Sequence, residues 1–430
     1  MSPSVADRQT AGASGLIVRT TCRGCGASAL VTLFSLGDLC LCNDFLAPSE
    51  ESVRIPLELV LCSPEQGGCG LLQLRHTTPQ HLMYTRYWYK SGISSTMRNH
   101  LGALVRKAER VAALQPDRIV LDIGANDGTT LRSYETRGVR RIGFEPSQLH
   151  REAEVGTTAI VNDFFNAPAF HAVAGGDKAQ IITTIAMFYD IEDPNRFIAD
   201  IRECLARDGV WIIEMHYLPT MLQSNGFDAI VHEHVTYYSL RSLQRLLAAH
   251  ALEIFDVERN GMNGGSFRVY VRHRGSAVAA GAGAAARVRA HEEREDRLQL
   301  DRPEIYQRFW RRIERTKTQL RRFLEAEVAK GKTVFVYGAS TKGNALLQFF
   351  DLDTRLIAAA GDKNADKWGR STPGTRIPIV SPQEVGKARP DYLLVLIWAL
   401  IDEVREQWQP YLATGGRLIV PLPRFKVISA

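Results

Sequence analysis

Short apolar stretches alternate with glycine turns and amphipathic segments along the middle of the chain. RIVLDI at 118–123 is followed by a glycine turn, a helical pattern and a second apolar stretch that ends at Glu145. Further stretches of this kind lie at 161–165, 180–194 and 208–219. Because short apolar runs separated by helices are typical of parallel strands, this pattern predicts a doubly wound α/β sheet.

A second unit of the same kind is predicted near the end of the chain. KTVFVYGASTKGNALLQFF has the pattern of a strand, a turn and a helix, and the turn carrying Ser340 and Lys342 is suited to a phosphate at a helix N-terminus. Asp362 and Lys363 follow another short strand. The alternative is a dinucleotide fold kept for packing. Between the two units a long amphipathic helix is predicted, with five residues toward a core: Ile305, Phe309, Ile313, Leu320 and Phe323.

Composition and charge exclude several classes of protein. Of the 430 residues, 45% are hydrophobic and 23% charged, which is ordinary for a globular chain of two or three domains. The longest apolar run is too short to cross a bilayer, and the polar opening MSPSVADRQT lacks the pattern of an export signal. The net charge of +6 is not concentrated in a basic arm. We therefore expect a cytoplasmic protein that binds neither membrane nor nucleic acid.

Four of the seven cysteines form two pairs that predict a structural zinc site. One pair lies in CRGC and the other in CSPEQGGC, both turn-like and glycine-containing. Zinc takes four thiolates in a closed tetrahedral site, and such a site contributes to folding. The alternatives are incidental buried cysteines, or replacement of one ligand by Cys40 or Cys42. The predicted ligands are Cys22, Cys25, Cys62 and Cys69.

The turn after the first predicted strand has the form of a cofactor site. Its glycines let a ligand approach the backbone, and the acidic end of the next strand is placed to accept both hydroxyls of a ribose. GANDG lacks the GxGxxG spacing of dinucleotide folds, which favours S-adenosylmethionine, a cofactor without phosphate. For Asp163, a helix cap is the alternative. The predicted cofactor contacts are Asp122, Gly124, Asn126, Gly128, Glu145, Asn162, Asp163 and Met187.

The stretch VHEHVTYYSL concentrates groups that transfer protons. It is not a zinc protease motif, which needs two histidines four apart on a helix. We expect Glu233 to orient a neighbouring imidazole and to raise its basicity, as proton abstraction beside a carbonyl requires. His216, at the end of the fifth strand, should share this cleft. Tyr237 and Tyr238 are expected to pack, and His232 to be a polar surface residue.

Six stretches occur in an order that resembles one family. They are the four-cysteine segment, YWYKSGISSTMRNH, VLDIGANDG, HEHVTYYS, NGGSFRVY, and VYGASTKGNALLQ with DKNADKWGRSTPGTRIPI. Over nearly its whole length the chain resembles the S-adenosylmethionine-dependent sugar C-methyltransferases, which act on nucleotide-linked 4-keto-6-deoxyhexoses. The resemblance implies methylation of carbon 3 through an enolate, in deoxysugar biosynthesis.

The same resemblance implies a division of the chain into parts. Residues 1–85 would form a zinc-binding domain and residues 86–275 a class I methyltransferase domain. Residues 276–330 would be a helical linker. Residues 331–430 would form a Rossmann-like domain that helps to hold the nucleotide sugar.

Roles for individual residues also follow from the resemblance. His234 would be the base that removes the proton, with Glu233 stabilising the imidazolium. Tyr87, Tyr89 or His216 would support the developing oxyanion. The implied substrate contacts are Ser91, Asn263, Ser266, Arg268, Tyr337, Ser340, Lys342, Asn344, Asp362 and Lys363.

The chain departs from some relatives at two places near the predicted base. The loop after the fourth strand reads MFYDIEDP, without a histidine, and Val231 stands where some relatives have a tyrosine. The sugar contacts and the identity of the hexose therefore stay open. The nucleotide of the substrate, thymidine or guanosine diphosphate, is also open. So is the oligomeric state, monomer or homodimer. Alternatives to the sugar enzyme are a small-molecule O- or N-methyltransferase, a nucleic-acid methyltransferase and a non-catalytic zinc-containing scaffold.

Overall fold

A computed structural model describes residues 15–84 and 86–430. The polar opening MSPSVADRQT, from which we expect no export signal, lies outside the described residues. The described chain contains three larger sheets and one sheet of two short strands.

The central sheet has seven strands. All neighbouring strands are parallel except Ser266–His273, which is antiparallel to both of its neighbours. The IVLDI strand is buried at every position, as a parallel strand covered on both faces must be. The five strands predicted for this region are confirmed. From one edge to the other the order is Leu252–Asn260, Ser266–His273, Leu205–His216, Ala179–Ile185, Ile119–Ile123, Arg140–Phe144 and Ala159–Val161.

The N-terminal part forms a four-stranded antiparallel sheet that borrows a strand from elsewhere. Its edge strand is Thr236–Tyr237, from the HEHVTYY stretch, which pairs with Leu72–Leu74. The next strands are Arg54–Cys62 and Leu30–Cys40. A separate pair joins Ile17–Val18 to His76–Thr77.

The C-terminal part is a second α/β sheet, as predicted. It has six strands, of which the first five are parallel and the last is antiparallel. Their order is Ile379–Val380, Ala359–Gly361, Val334–Tyr337, Tyr392–Val395, Arg417–Val420 and Lys426–Ile428.

Helices cover the sheets and connect them. In the part of the chain that the structure describes, none combines the length and apolar character needed to span a membrane. The α-helices are Gln80–Tyr84, Ser95–Val111, Thr129–Arg132, His150–Ala153, Ala167–Ala174, Pro194–Cys204, Leu218–Gln223, Leu240–Ala248, Ala284–Leu298, Pro303–Ala329, Thr341–Phe350, Pro382–Ala388, Ile401–Gln407 and Gln409–Ala413. Short 3-10 turns lie at Pro64–Gln66, Ser91–Ile93, Phe188–Asp190, Phe227–Ala229, Met262–Gly264, Ala365–Lys367 and Trp398–Leu400.

The long helix Pro303–Ala329 packs between the N-terminal and C-terminal sheets. Of the five apolar residues predicted to face a core, four are buried and Phe323 is half-buried. Phe309 is fully buried, and its ring centre lies 6.1 Å from that of Phe34. One apolar cluster therefore contains strand residues of both sheets together with this helix.

We predict that Phe309→Ala lowers the free energy of unfolding by about 3 to 5 kcal/mol, because it leaves a cavity in the shared cluster. Urea unfolding followed by circular dichroism measures the change. Arg311→Ala, on the exposed side of the same helix, is the control and should leave the unfolding midpoint within experimental error. Equal midpoints for the two variants would contradict the buried position of Phe309.

Candidate active site and zinc centre

Four sulfur atoms converge in the N-terminal part. Those of Cys22, Cys25, Cys62 and Cys69 all lie within 4.8 Å of one another. Cys22 Sγ is 3.7 Å from Cys69 Sγ, and Cys25 Sγ is 3.6 Å from Cys62 Sγ. Tetrahedral zinc with bonds of about 2.3 Å spaces its sulfur ligands by about 3.8 Å, so the cluster fits one zinc ion. The predicted ligands are therefore brought together; Cys40 and Cys42 are not in the cluster.

The zinc turn also supports the loop that follows the fourth predicted strand. Arg23, beside the first ligand, donates from Nε to the Glu192 carboxylate at 2.9 Å. Asn195 Nδ2 donates to the carbonyl of Gly24 at 2.9 Å. Since Glu192 follows the turn Phe188–Asp190, the metal site braces a loop of the catalytic cleft.

The glycine turn of the central sheet has the conformation that the sequence predicts. Gly124 and Gly128 have φ of +74° and +78°, which side chains rarely adopt. A Cβ on Gly128 would lie 2.9 Å from the Cα of Ala153, and one on Gly124 would lie 3.3 Å from Cγ of Met187. Met187 is thus placed against the turn. The two glycines therefore allow the close approach of Met187 and of the backbone at Ala153.

Glu145 lies at the end of the strand next to this turn. Its carboxylate accepts hydrogen bonds from the backbone N–H of Asn126 at 2.7 Å and of Ser147 at 2.9 Å. These bonds fix its orientation and leave lone pairs for the hydroxyls of a ribose. Asn162 Nδ2 donates to the Glu145 carbonyl at 2.9 Å, and Asp163 is exposed beside it. The geometry is compatible with a ribose at Glu145, and the contacts of these residues with S-adenosylmethionine stay a prediction.

Asp122 lies below the turn and not on its surface. It is 2% exposed and accepts a hydrogen bond from Thr183 Oγ1 at 2.5 Å. Burial raises the pKa of Asp122 to about 7. Asp122 therefore joins two strands beneath the site, and its contact with the cofactor stays a prediction.

The segment that enters the methyltransferase part crosses over the glycine turn. Asn126 accepts from the N–H of Ser91 at 2.9 Å and donates to the carbonyl of Tyr89 at 2.9 Å. Asp127 accepts from the N–H of Gly92 at 2.6 Å. Ser91 thus lies against the cofactor turn, while the Tyr89 ring, 46% exposed, lies at the rim. The sequence did not predict these hydrogen bonds between the two segments, although Asn126 and Asp127 belong to GANDG.

This crossing segment is also attached to the C-terminal part. The Trp88 carbonyl accepts from Asn364 Nδ2 at 2.8 Å. Lys90 Nζ lies 2.9 Å from the carboxylate of Glu152 and 3.1 Å from that of Asp366. The segment that crosses the glycine turn therefore contacts both the central part of the chain, through Glu152, and the C-terminal part, through Asn364 and Asp366.

Two imidazoles and a phenol meet at the end of the strand Leu205–His216. The ring centres of His216 and His234 are 5.6 Å apart, and the Tyr189 ring centre lies 4.2 Å from that of His234. Burial lowers the pKa of His216 well below its ordinary value and that of His234 to about 3, so both rings are neutral at physiological pH. The cavity here is lined by Tyr189, His216, Leu218, Met221, His234, Thr236 and Tyr237.

A backbone carbonyl, and not Glu233, orients His234. His234 Nδ1 lies 2.7 Å from the carbonyl oxygen of Ala229, which accepts its proton and leaves Nε2 free as an acceptor. The expectation that Glu233 orients this imidazole and raises its basicity is therefore wrong. His232 and Glu233 lie in a turn that the N–H of His234 closes by donating to the carbonyl of Val231 at 3.1 Å, and burial lowers the basicity of the His234 ring.

Glu233 belongs to a separate group of titratable side chains. Neither Glu233 Oε2 nor Asp190 Oδ1 has a hydrogen-bond partner among the described residues. Burial raises the pKa of Glu233 to about 7, and burial with the charge of Glu233 raises that of Asp190. The pKa values of Tyr84 and Tyr87 are raised, mainly by burial and to a smaller extent by the charges of Asp190 and Glu233. Of the two predicted tyrosines, Tyr87 is therefore the one that faces the carboxyls.

The remaining residues of the HEHVTYY stretch are buried. His232 is 1% exposed and its Nε2 lies 3.1 Å from the carbonyl oxygen of Ile55, so its expected surface position is wrong. Burial lowers the pKa of His232 to about 4. Tyr237 and Tyr238 are buried, and their expected packing role is confirmed.

The turn before the antiparallel strand lies beside the imidazoles. Ser266 pairs in register with His216. Asn263, three residues earlier, has φ of +56°, and its carbonyl accepts a hydrogen bond from Lys342 Nζ at 2.7 Å. Asn263 and Lys342 therefore lie beside the strand that carries His216. Ser266, in contrast, is buried, and its hydroxyl donates to the Met262 carbonyl at 3.0 Å. Contact of Asn263, Ser266 and Lys342 with substrate stays a prediction.

Three predicted substrate residues lie at the carboxyl edge of the C-terminal sheet, where Lys363 is exposed, Ser340 is half-buried and Asp362 is buried. Ser340 caps the helix Thr341–Phe350 by accepting from the N–H of Gly343 at 3.0 Å. Asp362 accepts from the N–H of Asn364 at 2.8 Å, and exposed Lys363 lies 3.0 Å from Glu403. Contact of these three residues with the nucleotide stays a prediction.

Three other predicted substrate residues are directed into the protein. Arg268 lies 2.8 Å from the Glu214 carboxylate and is 8% exposed. Tyr337 packs edge-on against Trp408, with ring centres 5.2 Å apart. Asn344 is fully buried and donates to a backbone carbonyl of the N-terminal part. Their predicted contact with substrate is corrected to a role in packing, because their polar ends face other parts of the protein.

The strand order of the central sheet, with its glycine turn and acidic strand end, defines an S-adenosylmethionine-dependent methyltransferase. Three family models match successive parts of the chain and agree with this class. A zinc binding domain matches residues 22–84, a methyltransferase domain residues 96–257, and a C-methyltransferase C-terminal domain residues 261–423.

One relative is similar over almost its entire length. The chain is 32% identical over 425 residues to C-methyltransferase NovU of Streptomyces niveus, covering 95% of this chain and 97% of that protein. The chain therefore belongs to the family that the sequence resemblance indicated, the S-adenosylmethionine-dependent C-methyltransferases with an N-terminal zinc-binding domain.

Solved structures give only distant likenesses. A methyltransferase from Clostridium acetobutylicum aligns with a TM-score of 0.32 and 12% identity, covering 41% of this chain and 92% of that chain. Magnesium protoporphyrin IX methyltransferase from Synechocystis gives the same score and identity, over 41% of this chain and 83% of that chain. The assignment of the class does not depend on them.

We predict that the wild-type protein carries about one zinc ion per chain and that Cys25→Ser loses most of it, because a tetrahedral site needs all four thiolates. Metal content by plasma mass spectrometry and the melting temperature measure the effect. Cys40→Ser, outside the cluster, should keep both values. Full zinc content in Cys25→Ser would show that the cluster is not the metal site.

We predict that Glu145→Gln binds S-adenosylmethionine about 10 to 100 times more weakly, because a charge-assisted acceptor for the ribose is lost. Isothermal titration calorimetry measures the dissociation constant. Glu154→Gln, on an exposed position of the next helix end, is the control. Unchanged affinity in Glu145→Gln would remove this carboxylate from the cofactor site.

Proposed function

We propose that the enzyme transfers the methyl group of S-adenosylmethionine to a carbon beside the ketone of a nucleotide-linked 4-keto-6-deoxyhexose. The observation that carries the proposal is the neutral His234, with its tautomer set by a backbone carbonyl, in a cleft beside the cofactor turn. Such an imidazole can accept a proton at Nε2 without first losing one. Bound S-adenosylmethionine supplies an electrophilic methyl group.

The chemistry assigned to this chain begins with the acidity of the sugar. A ketone at carbon 4 acidifies the hydrogen on carbon 3, the position that the sequence predicts, and equally the hydrogen on carbon 5. His234 Nε2 takes the proton, the electrons of the C–H bond form a carbon–carbon double bond, and the carbonyl oxygen becomes negative. His234 holds the proton while the enolate carbon takes the methyl group that S-adenosylmethionine would supply. The bond between that methyl group and sulfur breaks, its electron pair stays on sulfur, and the ketone is restored.

The buried carboxyls are suited to hold the sugar. Glu233 and Asp190 each have an oxygen without a described partner, and Tyr87 faces both. Burial raises the pKa of both carboxyls, and the charge of Glu233 raises that of Asp190 further, so a protonated Asp190 can donate hydrogen bonds while Glu233 accepts them. Hydroxyls of a hexose need that combination.

The nucleotide is assigned to the C-terminal sheet. The capped N-terminus of the helix Thr341–Phe350 and the exposed ammonium of Lys363 at the same edge suit a diphosphate. Thymidine and guanosine diphosphates satisfy these groups equally. A site of four thiolates suits a reducing compartment, and we place the enzyme in the cytoplasm.

We predict that the wild-type enzyme, given S-adenosylhomocysteine in heavy water, exchanges a hydrogen beside the ketone of thymidine- or guanosine-diphosphate 4-keto-6-deoxyhexoses. Nuclear magnetic resonance locates the deuterium at carbon 3 or carbon 5. His234→Asn should slow this exchange and methyl transfer by about 10²- to 10⁴-fold, because the base is lost. His171→Asn, far from the cleft on another helix, is the matched control.

The outcomes separate the candidate functions. Exchange together with methyl gain supports C-methylation and identifies the nucleotide. Methyl gain without exchange on any sugar would favour O- or N-methylation, for which a neutral histidine is also a competent base. Wild-type exchange in His234→Asn would remove the assignment of the base.

A further inference from the structure

Lys342 belongs to the C-terminal part but extends into the methyltransferase cleft. It is the second residue of the helix Thr341–Phe350, yet its Nζ donates to the carbonyl of Asn263, in the turn before the antiparallel strand. Three residues beyond Asn263, Ser266 is paired with His216. The ammonium is therefore anchored next to the strand that carries one of the two imidazoles.

The segment that orients the other imidazole lies near the same ammonium. Asp228, adjacent to the Ala229 whose carbonyl holds His234, is 1% exposed. One oxygen of Asp228 accepts from Trp398 Nε1 at 2.8 Å, and the other has no partner among the described residues. Burial lowers the pKa of Lys342 and raises that of Asp228, and the opposite charges of the two groups oppose both shifts by favouring each other's ionised form. No direct ion pair joins Lys342 to a carboxylate in the described part of the chain.

The half-buried ammonium of Lys342 thus has N–H groups that no described residue uses. An ammonium carries three N–H groups, and only the one directed to Asn263 has a partner among the described residues. A buried charge without a direct counter-ion favours an anion placed beside it. The anion that the proposed reaction forms here is the enolate oxygen.

We propose that Lys342 is a catalytic residue whose ammonium binds the carbonyl oxygen of the sugar and stabilises the enolate formed when His234 removes the proton. This inference rests on the proposed function. It replaces the expectation that Lys342 holds a phosphate, because its contacts with described residues lead away from Ser340 and Lys363 and into the methyl-transfer cleft.

In this step no atom is lost from the sugar. The proton moves from carbon to His234 Nε2, the C–H electron pair becomes the carbon–carbon double bond, and the carbonyl π pair becomes a lone pair on oxygen. One N–H group of Lys342 donates to that oxygen. Reversal of the step with a deuteron on His234 places deuterium on the carbon.

Other charged and titratable groups surround this position. Asp228 faces Lys342 from the turn Phe227–Ala229, and the two imidazoles face it from the strand end and the HEH stretch. Tyr189 packs on both imidazoles, and beyond it lie Asp190 and Glu233. The charge of Lys342 lowers the pKa of His216 and His234, so its removal must raise both.

The test compares Lys342→Met with wild type by deuterium exchange in the 4-keto-6-deoxyhexose linked to thymidine or guanosine diphosphate, with S-adenosylhomocysteine present. We expect exchange at saturating sugar to slow by about 10²- to 10³-fold, the usual cost of losing one oxyanion donor. Affinity for thymidine or guanosine diphosphate, measured by calorimetry, should stay within about threefold. The acid limb of the exchange profile should move to higher pH, because the base is protonated more easily.

A second variant separates charge from folding. Lys342→Gln keeps a donor for the Asn263 carbonyl but removes the charge, and it should show the same slow exchange at an unchanged melting temperature. Lys332→Met removes an exposed ammonium, paired with Asp391 at the opposite edge of the C-terminal sheet, and should exchange like wild type.

Two results would overturn the inference. Wild-type exchange at saturating sugar in Lys342→Gln, with diphosphate binding weakened, would assign Lys342 to the phosphates. Absence of exchange in the wild-type enzyme would contradict the proposed function and this inference together. Exchange that is present in the wild type and unchanged in both Lys342→Met and Lys342→Gln would contradict this inference alone.

Discussion

The apolar cluster shared by the N-terminal sheet, the long helix and the C-terminal sheet fixes the geometry of the catalytic cleft. Phe227 stacks on Phe350 with ring centres 5.0 Å apart. Phe227 begins the turn whose Ala229 carbonyl orients His234, and Phe350 ends the helix whose second residue is Lys342. One hydrophobic contact therefore sets the distance between a base and a positive charge that come from different parts of the chain. Close packing makes such a distance stiff, because neither element can shift without opening a void.

Burial controls the electrostatics of this cleft more than any single ion pair does. It keeps the imidazoles of His216 and His234 neutral, and it raises the pKa of the carboxyls of Asp190 and Glu233. In such an environment a charge that appears during reaction interacts strongly with the few charges already present. The protein thus combines a resting site of low net charge with groups that respond when the substrate becomes an anion.

Local patterns in the sequence were sufficient for some features and not for others. The strand beginning at Ile119 and the turn at Gly124 depend on residues close in sequence, and the cluster of Cys22 with Cys62 and Cys69 is marked by the spacing within each cysteine pair; all three were predicted. The partner of His234 was not, because a backbone carbonyl such as that of Ala229 has no sequence signature. The direction of Lys342 was missed for a related reason. Its helix position is local, but its acceptor lies 79 residues earlier in the chain.

The strand Thr236–Tyr237 has a consequence for the synthesis of the protein. It pairs with Leu72–Leu74, yet it leaves the ribosome long after that partner. Until then the N-terminal sheet presents an unpaired edge, which can recruit strands of other chains. The zinc ligands are all translated before residue 70, so metal capture can hold the early strands together during this interval. A fragment that ends at residue 84 lacks a strand of its own sheet, and the N-terminal part completes its fold only in the company of the catalytic part.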